Sequence, residues 1–167
     1  MSILAVLLLA ISQPTSSLPT SEEPVKNADS SVVMSAFVNV SFVVVYSTPS
    51  YDSASAFANE AADRLEIPVD LRGLVFDRQH GLSWSRQECE GEPFAEFPCY
   101  FPRGRYDEGV YLSIEISDSY DSLEPGEFLV IAASGEPEEM EAALVSVREV
   151  IADAYIKTEK IYFGGMH

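Results

Sequence analysis

Five of the seven arginines of the chain, Arg72, Arg78, Arg86, Arg103 and Arg105, fall between positions 72 and 105, interleaved with Trp84, Phe94, Phe97, Tyr100, Phe101 and Tyr106. Guanidinium forks pair bidentately with carboxylates, and aromatic plates offer flat contact to rings, so this mixture suits a carboxylate-bearing or ring-shaped ligand. Arg72, Trp84, Arg103, Arg105 and Tyr106 are the residues expected to hold it. The segment "PRGRYDEG", Pro102 to Gly109, sets an R-x-R pair in a Gly-flanked turn, where both arginines are expected to reach outward. A second reading stays open. Asp70, Asp77, Glu88, Glu90, Glu92, Glu96, Asp107 and Glu108 are near enough in sequence to neutralise these arginines, and the aromatics would then fill a satellite core under a long loop.

Other chemistry is sparsely represented. Cys89 and Cys99 are the two cysteines, and in an exported chain an even pair this close is expected to be bridged. A metal site would want more Cys or His at ligand spacing than His80 and His167 supply, and a nucleophilic cysteine would need a histidine partner. No phosphate loop, nucleophile elbow or zinc-protease motif occurs, and the spacing of Asp118, Asp121 and Glu124 lacks the order and central Gly of a calcium loop. The reading is a chain without catalysis, cofactor or bound metal.

A net charge of −17 repels nucleic-acid phosphates across most of the surface, so nucleic acid is excluded as a partner and a monomer is expected. Residues 1–17, "MSILAVLLLAISQPTSS", carry an apolar run from Ile3 to Ile11 before small and polar residues, the pattern of a secretory signal peptide. That run is too short to span a bilayer. Residues 18–31, rich in Ser, Thr, Pro and Glu, read as a flexible linker. Residues 32–167 are left for one α+β domain, with an insertion at 77–109.

The elements that must position the arginines are written twice. "FVVVYSTPSYDSASAFANEAADRL" begins at Phe42, and "FLVIAASGEPEEMEAALVSVREVI" begins 86 positions later at Phe128. In the first copy Ala54, Phe57, Ala58, Ala61 and Leu65 form one stripe of a 3.6-period helix. Adding 86 gives Met140, Ala143, Leu144, Val147 and Ile151, all apolar. Ser50, Asp52 and Ser53 suit one helix start, and Pro137, Glu138 and Glu139 the other. A returning strand is expected within "IPVDLRGLVF" after the first helix and within "DAYIKTEKIYFG" after the second. Two such β-α-β halves predict a ferredoxin-like split β-α-β fold, an antiparallel sheet with both helices on one face. "GVYLSIEISDSY" alternates cleanly and reads as an extra strand.

These two stretches, about 70 residues in all, resemble the sporulation-related repeat (SPOR) family of exported or membrane-tethered bacterial modules. The resemblance implies a non-catalytic module of the periplasm or cell envelope that binds peptidoglycan glycan strands on the sheet face away from the helices. Here Val43, Val44 and Val45 leave neither face of the first strand polar, and an apolar free face needs a cover, which the insertion is long enough to supply. The alternative is a protein-binding module, of inhibitor or immunity type, that uses an acidic face or the Arg and aromatic insertion.

Overall fold

The computed structural model describes residues 37–92, 95–105 and 107–163. The signal peptide and linker read in 1–17 and 18–31, together with Phe94 and Tyr106, lie outside the described residues. No helix among those described is long and apolar enough to cross a membrane.

β1 (Phe37–Thr48) is the longest strand and sits between two partners. Both of its faces are covered, Val43 and Val45 packing in the helix-side cluster and Val40, Phe42 and Val44 in the cluster on the other face, which suits the unbroken valine run. α1 (Tyr51–Leu65) follows a Ser50 cap whose hydroxyl accepts from the Ser53 amide at 3.3 Å. It ends where Glu66 turns left-handed, with φ of 56°. The next helix of the sheet layer, α3 (Pro137–Arg148), starts with Pro137 and places Glu138 and Glu139 in its first turn, where carboxylates favour the positive end of the helix dipole.

The main sheet has the order β4-β5-β1-β6, with β4 (Gly109–Ile116), β5 (Phe128–Gly135) and β6 (Tyr155–Tyr162). Every neighbouring pair is antiparallel. It follows that β1 and β4 point the same way with β5 between them, and β5 and β6 point the same way with β1 between them. Ala54, Ala58 and Ala61 of α1 share one core cluster with Met140, Leu144 and Val147 of α3 and with Val43, Val45, Ile114 and Val130 of the sheet, so both helices cover one face.

The expected strand in "IPVDLRGLVF" needs correcting. Val69 makes only an isolated parallel bridge to Leu112, and Val75–Asp77 forms β2, which pairs with β3 (Gly81–Ser83) in a separate two-stranded sheet. The strand that returns from α1 to the main sheet is β4. "GVYLSIEI" is that strand, set at the edge of the main sheet beside β5. Those residues also hold α2 (Arg86–Gly91), closed by a capping box in which Ser85 and Glu88 each accept from the other's backbone amide. Cys89 and Cys99 are bridged.

The helix-free face carries its own apolar cluster of Val40, Phe42, Val44, Leu129, Ile131 and Ile161, and it is covered. Tyr120 lays its ring edge-on to Phe42 with centroids 5.3 Å apart. Gly104 comes closer still, at φ of +107°, where an added Cβ would stand 2.8 Å from Phe42 Cζ and 3.2 Å from Val40 Cγ1. Replacing Gly104 with Ala therefore combines a strained backbone with overpacking against the sheet. Its expected cost is about 1–3 kcal/mol, read as a lower midpoint in urea unfolding; an unchanged midpoint would show that this segment is not seated on Phe42.

Candidate functional site

The site is built around a glutamate that the strand pattern would place in solvent. Glu115 of β4 has no exposure, although its sheet face bears no helix. Arg72 grips it with two donors, Nε to Oε1 at 3.2 Å and Nη2 to Oε2 at 2.7 Å. The Tyr100 hydroxyl donates to the same carboxylate, and the Arg103 amide adds a longer contact at 3.4 Å. Arg72 also reaches Asp107 at 2.9 Å and the Phe101 carbonyl at 3.0 Å. Asp107 in turn accepts from the Gly104 amide at 2.6 Å and the Arg105 amide at 3.0 Å, which shapes the turn.

Arg72 holds this place through an uncommon backbone conformation. Its φ is 53°, left-handed for a residue with a side chain. The Asp70 carboxylate accepts its amide at 2.7 Å, and the Trp84 indole donates to its carbonyl at 3.1 Å. Trp84 is fixed in turn by its backbone N–H, which donates a hydrogen bond to the Cys99 carbonyl at 3.0 Å, beside the bridge to Cys89. The Trp84 ring lies 5.0 Å from that of Phe101.

Arg103 does not reach outward. It is fully buried and donates to Ser134 Oγ, Ser113 Oγ and the carbonyls of Tyr111, Ile131 and Gly109, all at 2.7 to 3.1 Å. Its guanidinium stacks 3.5 Å from the Tyr111 ring centroid. The two buried guanidiniums differ electrostatically. Burial works against both, but for Arg72 the carboxylates of Glu115 and Asp107 more than offset it and the pKa lies above its ordinary value. For Arg103 burial prevails and the pKa falls, since its direct acceptors are neutral. It stays charged nonetheless.

Arg105, two residues later, is exposed and extends to the Phe163 carbonyl at 3.0 Å. Arg72, Trp84 and Arg105 come together with Glu92, Phe101, Pro102 and Asp107 around a surface hollow of about 350 Å³. Three of the five residues read as ligand-binding thus meet, Arg103 is turned into the protein, and Tyr106 is not among the described residues. Glu115, which organises the hollow from beneath, was missed by the sequence reading, whereas Tyr100 stood there as one of the interleaved aromatics and Asp107 as one of the acids that could neutralise the arginines, as it does for Arg72. A glutamate among alternating apolar residues carries no mark of burial, and only the local excess of arginine pointed to a buried carboxylate. The capping box Ser85 to Glu88 was legible and would have located α2.

Two further placements bear on chemistry. Both cysteines are in the disulfide and no cysteine is free, so neither is a thiol nucleophile. His80 lies in a turn, with Nδ1 2.9 Å from Asp77 Oδ2 and its ring 5.0 Å from Phe97. The hydrogen bond from His80 holds the Asp77 carboxyl below its ordinary value.

Glu115 supports two predictions. Glu115→Ala leaves Arg72 and Tyr100 facing an empty, buried position and is expected to cost about 3–5 kcal/mol, whereas Glu115→Gln, which keeps an acceptor, should cost less; equal losses in denaturant titration would refute the charge pairing. Burial first, then the Glu115 charge, raise the Tyr100 and Tyr120 pKa values well above 10.0. The folded state therefore favours the neutral phenols, and their contribution is complete below pH 10 and lost as pH rises beyond it. Alkaline titration should show phenolate absorbance of these residues appearing only together with unfolding, while free titration without loss of structure would contradict it.

No family model matches this chain, and neither the curated proteins nor the solved structures contain a significant match to it.

Proposed function

We propose that the chain is a non-catalytic binding module of the bacterial cell envelope whose ligand lies in the hollow of Arg72, Trp84 and Arg105. In this reading the strand order is that of a ferredoxin-like split β-α-β sheet, elaborated from a SPOR-like module by the disulfide-tied segment between α1 and β4. The Cys89–Cys99 bridge suits an oxidising compartment such as the periplasm, in keeping with residues 1–17 acting as a signal peptide.

The ligand proposed is the peptidoglycan glycan strand, a polymer of sugar rings that bears carboxylates. The observation that carries this is the gathering of an exposed Arg105 beside the Trp84 and Phe101 rings at one surface hollow. Sugar rings pack on aromatic faces, and a guanidinium pairs with the carboxylate. The helix-free sheet face, where a plain SPOR-like module would bind, is occupied here by Gly104 and Tyr120. Recognition therefore shifts from the sheet to the segment laid over it, with the sheet kept as scaffold.

Co-sedimentation with purified cell-wall sacculi tests the proposal. The chain should pellet with sacculi, and Arg105→Ala should reduce the pelleted fraction several-fold while leaving the unfolding midpoint close to that of the parent. No enrichment over an albumin control would remove the reading.

A further inference from the structure

The hollow beside Arg105 has a neighbour. Phe101, Pro102 and Arg105, which line it, also line a second hollow of about 320 Å³, so the two adjoin along that stretch of chain. Another wall of the second hollow is β6. Four consecutive residues, Glu159 to Tyr162, border it, and since neighbouring side chains of a strand point to opposite faces, one hollow meets all four by following the edge of the strand. That edge is open among the described residues, because β6 ends the sheet order and pairs with β1 alone. The backbone N–H and C=O groups that an end strand leaves outside the ladder are donors and acceptors ready for a ligand.

The side chains along this edge suit a ring that bears hydroxyls. Phe37 stands opposite Tyr162 in the β1–β6 register with its ring 5.1 Å from the tyrosine ring, and at 53% and 52% exposure these are the two most exposed aromatic side chains among the described residues. Lys160 adds an exposed cation, and Asp121, in the turn after β4, an exposed acceptor. The other acid of the hollow, Glu159, is buried and accepts from the Ser122 amide at 3.3 Å and from the Ser122 hydroxyl. Flat rings, a cation, an acceptor and open main-chain groups in one hollow are what a sugar chain with carboxylates requires. We propose that the two hollows are adjoining subsites of one groove that holds the glycan strand along its length, one part beside Trp84 and Phe101, the next beside Phe37 and Tyr162 at the β6 edge, with Arg105 common to both. This rests on the glycan reading above and adds a length requirement to it: a ligand that fills both subsites gains the second contact intramolecularly, and one too short to reach across gains nothing.

Titration calorimetry of the full chain with a two-sugar and a six-sugar glycan fragment, both released from the same sacculi, tests this. The six-sugar fragment should bind about tenfold more tightly than the two-sugar one. Tyr162→Ala and Lys160→Gln should each lower the six-sugar affinity several-fold, towards that of the shorter fragment, and leave the two-sugar affinity at the parent's value. Lys160→Gln, at an exposed position, keeps the comparison if loss of the tyrosine ring unsettles the strand end. Arg105→Ala should weaken binding of both fragments. Equal affinity for the two lengths, unchanged six-sugar affinity in both β6 variants, or sacculi that pellet the chain while neither fragment binds would overturn the extended groove and leave the reading of the first hollow standing. Absence of both pelleting and fragment binding would remove the two together. A dimer in sedimentation that Tyr162→Ala disperses would assign the β6 edge to a second copy of the chain and overturn the proposal as well.

Discussion

The carboxylate of Glu115 is the constraint on which the upper layer of this protein depends. A glutamate with no exposure is costly unless every lone pair is answered. Its donors come from the turn after α1, from the stretch after the disulfide and from the backbone of the R-x-R turn. Three stretches distant in sequence thus converge on one atom pair in β4. They can do so in a single arrangement, and that arrangement lays the connecting segment over Phe42 and Val40. The same arginine that answers Glu115 also holds Asp107, and Asp107 orders the backbone that carries Arg105. The geometry of the surface hollow is therefore set by a charge pair beneath it.

This dependence accounts for what the sequence could and could not reveal. β1, α1, β5, α3 and β6 were legible because each has a strong period and a complete set of neighbours: valines on consecutive positions, alanines at helical spacing, Pro137 ahead of two glutamates. β4 was legible as a strand but not as a partner of β5 in the first half. Ile67 to Phe76 stands where a returning strand should follow a helix and carries apolar residues of its own, while the true strand begins at Gly109. Sequence adjacency favoured the wrong segment. What placed β4 correctly was the pairing of Ile114 with Val130 and of Gly109 with Ser134, which periodicity does not encode.

Arg103 and Arg105 make the limit plainest. They share residue type and lie on either side of the same glycine, so local chemistry treats them alike. One is buried among five acceptors and an aromatic ring, and the other lies at the surface. The difference arises from the close approach of Gly104 to Phe42, which drives one neighbour inward and leaves the other outside. A buried guanidinium in an acidic protein looks paradoxical from composition, yet here the charges of Arg72 and Arg103 are balanced locally by Glu115 and Asp107.

The separation of β4 from α1 carries a kinetic consequence. The second half of the sheet runs without interruption from Phe128 to Tyr162 and needs only β1 to complete three strands, whereas the first half must close a loop from Glu66 to Glu108 before β4 can dock. We infer an order in which β1, β5, α3 and β6 assemble early and β4 arrives last with the layer above it. Comparing folding rates of Leu144→Ala and Leu112→Ala variants would read that order, and equal fractional effects on folding would contradict it.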